Sequence, residues 1–378
     1  MILIIFTKIT DIFELIKTDP AARQEIAKKT NIARMSARLT NYDILFRPHF
    51  KTHQSRTVGG WFQGGWSRKI AVSSATMAGY FIADGWNDVT IAFPYNTREH
   101  QLLEDLAAKA NITLTIPGVE SAMNLAAKAK TYFGVNIKID TGYNRSGTRW
   151  DDTETVMQIL KILKSNKHIV VTGLLSHSGD TYKAADASGV KAIYNLSVSR
   201  MKELRSRIDH PGLIISLGDT PSASLVEEFG DVDELRPGNF VFYDLMQHLA
   251  GNCSFYDIAV AMACPVVDIR HKSGKMVIYG GAVHLSKESV KVGNDNIFGL
   301  LVKIENNKWI PASVRAYVTS LSQEHGIISA PDSLLREFSP GDLAGVIPVH
   351  SCLTAELAGG YMLTDRTYAD HLCEKKNF

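Results

Sequence analysis

An eight-stranded βα barrel followed by a smaller antiparallel β domain is the fold class that this sequence predicts, and three observations carry it. Short β-type runs alternate with amphipathic helical stretches as far as Tyr243, the pattern of a parallel sheet with crossover helices. Eight such runs match the strand count of a closed barrel. Beyond Tyr243 the helical periodicity fades, and β-rich runs divided by turn residues take over, as in antiparallel hairpins. An open doubly wound sheet is the competing reading, and the count of eight favours the barrel.

Residues 1–30 read as helical, fall outside the barrel pattern and are a candidate extension of the second domain. The strand runs are Asp43–Phe50, Ile70–Ser74, Val89–Phe93, Ile112–Ile116, Val135–Asp140, Ile169–His177, Leu213–Leu217 and Asp233–Arg236. Between them Glu99–Ala110, Glu120–Lys130, Thr153–Lys164 and Val190–Ile208 carry apolar residues at three- and four-residue spacing. The later runs are Ile258–Ile269, Lys275–His284, Phe298–Glu305, Arg315–Ser320 and Leu343–Val349, with turn signals at Lys272-Ser273-Gly274 and Asn306-Asn307. The expected division is a barrel over 31–252 and an antiparallel β domain over 253–378, changing near Cys253.

Composition narrows the function classes. The 378 residues include 41 Lys+Arg against 39 Asp+Glu, a net charge of +2, which offers no basic surface for nucleic acid or an anionic membrane. Hydrophobic residues at 45% and charged ones at 21% are those of a globular protein. Cys253, Cys264, Cys352 and Cys373 are too few and too scattered for a disulfide framework, which suits a reducing compartment. No apolar run approaches the ~18–20 residues of a membrane span. Met1–Phe6 lacks the basic flank and the length of a signal peptide, so a cytoplasmic protein is expected.

The segment Arg47-Pro48-His49-Phe50-Lys51-Thr52-His53 is the most informative. Strand alternation sends Ile44, Phe46, Pro48 and Phe50 one way and Arg47, His49, Lys51 and His53 the other, into the barrel. A lysine buried in a row of cationic or titratable groups has its ammonium pKa pushed down, and a neutral amine is what carbonyl chemistry needs. Lys51 also sits at the carboxyl end of a barrel strand, where barrel active sites are built. An exposed lysine past a strand end is the bland alternative.

Gly218-Asp219-Thr220-Pro221-Ser222 follows the seventh strand, and Pro237-Gly238-Asn239 follows the eighth. Glycine admits backbone amides to an anion, and hydroxyls or Asn add donors, so these loops suit a phosphate; each alone is an ordinary turn. A strand-one lysine opposite a phosphate cradle at strands seven and eight suits pyridoxal phosphate. Late in the chain, His350-Ser351-Cys352 sets an imidazole and a thiol two residues apart, on one face of an extended segment. Nitrogen plus sulfur points to zinc, with two ligands leaving positions open, though a bare His-x-Cys also arises by chance. Glu324-His325-Gly326 is a further polar cluster that could orient a substrate hydroxyl or equally be an exposed turn.

Together these residues resemble the D-serine dehydratase/D-threonine aldolase family of alanine racemase-like fold. The resemblance rests on Arg47–His53, Asp140-Thr141-Gly142-Tyr143-Asn144-Arg145-Ser146-Gly147, Ser176-His177-Ser178-Gly179-Asp180-Thr181-Tyr182, the loops Gly218–Ser222 and Leu235–Phe240, Gln323–Gly326 and His350–Cys352. It implies a pyridoxal 5'-phosphate enzyme in which Lys51 binds the cofactor aldehyde. Thr220, Gly238 and Asn239 would hold the phosphate, Tyr182 would contact the ring, Arg145 would line the pocket, and His350 and Cys352 would bind zinc or another divalent metal. It also implies a homodimer. Family dehydratases carry His-x-Cys and family aldolases His-x-Asp, so Cys352 favours β-elimination of water from a D-3-hydroxy amino acid, giving a 2-oxo acid and ammonia. The alternatives are a D-threonine aldolase, an amino-acid racemase and a non-catalytic pyridoxal phosphate-binding protein. One departure stands: Leu175 occupies a position where eukaryotic D-serine dehydratases have tyrosine.

Overall fold

A computed structural model describes residues 3–6, 31–63, 67–184, 186–305, 308–363 and 366–374. The chain falls into two compact units, Met35–Lys51 with Gly59–Gly238, and Met1–Arg34 with Thr52–Val58 and Asn239–Phe378. The sequence places the change of domain near Cys253. The division itself lies at Gly238/Asn239, because Asn239–Val241 and Leu245–Leu249 run as helical turns of that unit. The helical reading of residues 1–30 fails at Leu3–Phe6, which pairs as a strand, and for residues 7–30 it lies outside the described residues.

One backbone strand, β1 (Leu3–Phe6), belongs to the second unit. The first unit is built on a parallel sheet of β2 (Leu45–Phe46), β3 (Ile70–Val72), β4 (Asp88–Pro94), β5 (Asn111–Ile116), β6 (Phe133–Asp140), β8 (Ile169–Leu175), β9 (Ile214–Leu217) and β10 (Glu234–Leu235), with the two-residue β7 (Thr148–Arg149) beside β6. The order β2-β10-β9-β8-β6-β5-β4-β3 closes where the Ala71 N–H donates to the Pro48 carbonyl at 2.9 Å and His49 bridges Ala71. This is the expected barrel of eight strands, each one near its predicted run. Crossover helices form where a cap meets an apolar stripe: Asp152 accepts from the Thr155 N–H, and Thr153–Lys164 then buries Val156, Ile159, Leu160 and Leu163. Ala75–Ile82, capped by Ser74, escaped the sequence reading because it is apolar nearly all round and shows no stripe. Thr220–Leu225, expected as loop, is a short helix capped by Asp219 with Pro221 in its first turn.

The second unit carries β11 (Val260–Arg270), β12 (Lys275–Tyr279), β13 (Val290–Val292), β14 (Asp295–Ile297), β15 (Gly299–Glu305), β16 (Lys308–Pro311), β17 (Tyr317–Leu321), β18 (His325–Ser329), β19 (Leu343–Pro348), β20 (Tyr361–Leu363) and β21 (Tyr368–Ala369). Its sheet runs β12-β18-β17-β15-β19-β11-β1-β20-β21. It is antiparallel except between β1 and β20, and β12 also pairs with β11, so six strands close into a ring. The predicted run Lys275–His284 is cut at Tyr279. A Cβ on Gly281 would stand 2.4 Å from the Gln323 carbonyl oxygen, so the chain leaves the sheet there and turns into the helix Ala282–Leu285. The turn expected at Asn306-Asn307 lies outside the described residues.

Candidate active site

Lys51 does not lie on the strand. β2 ends at Phe46, and Phe50–Thr52 form a turn of 3-10 helix. Phe50 is the cause: it is wholly buried, with ring centroids of Phe62, Phe81 and Trp86 at 4.9–5.0 Å, and this aromatic cage turns the chain so that Lys51 points out. Lys51 is therefore exposed rather than buried, and the expected one-faced cationic row breaks up. Arg47 is buried in ion pairs with Glu234 at 2.7 Å and Asp88 at 2.6 Å. His53 falls in the second unit, buried, where burial and the His371 charge push its imidazole down to about 3. His49 alone stays beside Lys51, its Nδ1 accepting from the Lys51 N–H at 3.4 Å.

Within the barrel unit, two hydrogen bonds join three of the predicted cofactor residues. The Thr220 N–H donates to Tyr182 Oη at 3.2 Å, and the Gly238 N–H donates to Thr220 Oγ1 at 3.3 Å. Asp219 holds the turn by accepting from the Ser222 N–H at 2.6 Å, and burial pushes its carboxyl up to about 6. The Tyr182 ring lies 6.4 Å from that of His177, which lies 6.1 Å from Tyr143, and Arg145 covers Tyr143 at 5.0 Å. His177 donates from Nδ1 to the Gly218 carbonyl. Burial first, then the charges of Lys51, Arg145 and Lys138, hold His177 well below its ordinary 6.5. Lys138, on β6, is 5% exposed; burial, with Arg236 and Arg145 adding, lowers its ammonium to about 7 against the pull of Asp140.

Within the second unit, the residues expected to bind a metal sit at a helix start and not in an extended segment. His350 is the N-cap residue of Ser351–Ala358, so Cys352 stands in that helix's first turn. The Cys352 thiol is close enough to His350 to act on its imidazole. Burial lowers the His350 pKa, but Cys352, with Asp244 and Glu288, outweighs it and raises the imidazole to about 9. His350 Nδ1 is buried without a hydrogen bond, 3.5 Å from Glu288 Oε2. The Asn239 side chain belongs to this cluster: Nδ2 lies 2.7 Å from Asp244 Oδ2, 3.0 Å from Ser351 Oγ and 3.6 Å from Cys352 Sγ. Thr52, next after Lys51 in the chain, has its hydroxyl 3.4 Å from Cys352 Sγ. Glu324, by contrast, is placed 3.7 Å from His284.

Both sets of donors fit the groups they were expected to hold. A threonine hydroxyl between two glycine-bearing loops, in the unit where Lys51, Arg145 and Lys138 converge on His177, suits a phosphate, and an exposed amine can reach an aldehyde. A buried imidazole nitrogen left without a hydrogen bond, next to a thiol, is the donor set of a soft divalent metal. Among the described residues no group of three His, Cys, Asp or Glu forms a metal cluster. Sequence reasoning missed Lys138, Tyr143, Asp244 and Glu288. Only Lys138 had a signal: Asn136, Lys138 and Asp140 alternate with Val135, Ile137 and Ile139, a polar face on an otherwise apolar strand.

Residues 29–245 match the family described as alanine racemase, N-terminal domain, and residues 259–364 match the putative serine dehydratase domain. The D-serine dehydratase of Dictyostelium discoideum is 28% identical over 370 residues, covering 88% of this chain and 89% of that one. The D-threo-3-hydroxyaspartate dehydratase of Delftia sp. (strain HT23) is 26% identical over 352 residues, covering 89% and 91%. Its solved structure superposes with a TM-score of 0.84 at 23% identity over 98% of this chain and 96% of that one. A cysteine-to-alanine mutant of that enzyme, in a metal-free form, superposes with the same figures. The D-threonine aldolase of Filomicrobium marinum shares the fold, with a TM-score of 0.79 at 18% identity over 98% and 94%. Among the described residues no helix is long and apolar enough to cross a membrane.

Proposed function

Since the chain belongs to the D-serine dehydratase/D-threonine aldolase family of alanine racemase-like fold, we propose that it removes water from a D-3-hydroxy amino acid to give a 2-oxo acid and ammonia, using pyridoxal 5'-phosphate and a divalent metal. When bound, the cofactor supplies an aldehyde for the substrate amine and a conjugated ring that accepts charge, and the metal supplies a Lewis acid for the departing hydroxyl. Lys51 Nζ would hold the cofactor aldehyde, and its amine would be the base for the substrate α-proton. The Thr220 hydroxyl would hold the phosphate, positioned by the Gly238 N–H that it accepts from and by the Tyr182 Oη that accepts from the Thr220 N–H. Asn239, expected beside them, has its side chain engaged by Asp244 instead. Arg145 and the Tyr143 ring beneath it line the substrate side. His350 and Cys352 carry the metal, and zinc suits one nitrogen and one sulfur.

The observation that carries the reading is Cys352, paired with His350 at the start of its helix. A sulfur in that position accords with the family's dehydratases, whereas its aldolases carry a carboxylate there. The relatives named for D-serine and for D-threo-3-hydroxyaspartate support dehydration of this substrate class. Leu175, buried at the end of β8, departs from the D-serine pattern, so the substrate side chain is left to experiment. The purified protein is to be given a panel of D-amino acids, scored for 2-oxo acid and for aldehyde, with and without chelator. Oxo acid from a D-3-hydroxy amino acid, lost on chelation, is expected. Glycine with acetaldehyde from D-threonine would overturn the proposal in favour of an aldolase.

A further inference from the structure

We propose that Asp244 and Asn239 are positioning residues for the metal pair, Asp244 by orienting the Asn239 amide and Asn239 by directing an N–H at the Cys352 sulfur. This deepens the metal-site reading above and rests on it. Asp244 is 1% exposed and satisfied by four bonds. Its Oδ1 accepts from the Gln247 N–H at 2.9 Å; its Oδ2 accepts from Asn239 Nδ2 at 2.7 Å, the Ser351 N–H at 3.0 Å and the Ser351 hydroxyl at 3.2 Å.

Three consequences follow from that arrangement. A carboxylate only accepts, so the amide nitrogen and not the amide oxygen of Asn239 must face Asp244. With its nitrogen so fixed, Asn239 presents its remaining N–H toward Ser351 Oγ at 3.0 Å and Cys352 Sγ at 3.6 Å, while its Oδ1 stays buried without a hydrogen bond. A sulfur that binds a metal does so as thiolate, and an N–H aimed at it stabilises that charge and holds its direction. The same carboxylate also anchors the Ser351 N–H, the link between His350 and Cys352, so both donors are tied to one buried group. Asp244 itself, bound on both oxygens, belongs behind the pair and not among the ligands.

The test substitutes Co(II) and follows the sulfur-to-cobalt charge-transfer band by difference spectra with and without metal. Wild type, Cys352→Ala, Asp244→Asn and Asn239→Leu are to be compared as full chains with cofactor bound. Asn239→Leu keeps the volume and removes the donor, and it serves if Asp244→Asn does not fold. The expected result is a band in wild type that Cys352→Ala abolishes. Both positioning variants should retain the band, shifted to longer wavelength because the sulfur has lost the Asn239 N–H, with Co(II) bound about 10- to 100-fold more weakly. A band and an affinity like wild type in Asn239→Leu would overturn the positioning roles while leaving the metal pair standing. No band in wild type would overturn the metal pair and the positioning roles with it.

Discussion

Replacing Lys138 by methionine should stabilise the barrel unit, and by an amount that depends on pH in a defined direction. The side chain is 5% exposed on β6, and burial, with Arg236 and Arg145, lowers its ammonium from 10.5 to about 7. At about 1.4 kcal/mol per pH unit, that shift of roughly 3.5 units corresponds to a charging cost on the order of 5 kcal/mol. The folded pKa lies below the unfolded one, so between about pH 7 and pH 10.5 the unfolded chain binds more protons and wild-type stability rises with pH. Below about 7 both states are protonated and the whole cost is present; above 10.5 it is gone. Methionine keeps most of the volume and carries no charge. The variant should be more stable than wild type at about pH 6, and most of that advantage should be gone by about pH 10. Urea denaturation of both proteins across that range, without phosphate in the buffer, reads the difference directly. A stability difference of one size at both ends would refute the reasoning, because between about pH 7 and pH 10.5 it is the titration of Lys138 that makes it vary.

Arg47→Ala should cost about 3–5 kcal/mol in urea denaturation, since it strands the 1%-exposed Glu234 carboxylate and removes the Asp88 partner; a loss under about 1 kcal/mol would show that the pair is structurally idle. Gly179→Ala puts a methyl 2.3 Å from Tyr143 Cζ, so the ring must move; the protein should fold, yet bind pyridoxal phosphate at least about tenfold more weakly in an absorbance titration. Unchanged affinity would remove Tyr143 and its neighbours from the cofactor wall. Chelator treatment should leave the cofactor absorbance in place while 2-oxo acid release falls, and added zinc should restore it; turnover persisting in chelator counts against a metal on His350 and Cys352.

The barrel was legible because its signals are local. Thr153–Lys164 shows its stripe and its Asp152 cap within about a dozen residues, and the structure has the same limits. Val135–Asp140 likewise announces β6 by its alternation. Lys51 was expected to be buried and is exposed. Its outward direction is set by Phe50, whose cage draws on Phe62, Phe81 and Trp86, and no pattern within the segment reveals those partners.

Asp244 shows most clearly why the site was harder to read than the fold. In sequence it is a helix cap, and Asp244 does accept from the Gln247 N–H three residues on. Nothing local says that its other oxygen receives Ser351, at 107 residues' separation. The cap bond and the long-range bond use one carboxylate, and the first is enough to explain why Asp stands there. A residue that satisfies a local rule gives no sign of a second duty. Lys138 does the opposite: a lysine inside a strand breaks the local rule, and the break points to the buried cationic cluster around it. The breaches of pattern in the sequence were therefore informative, while the residues that obeyed it concealed part of the site.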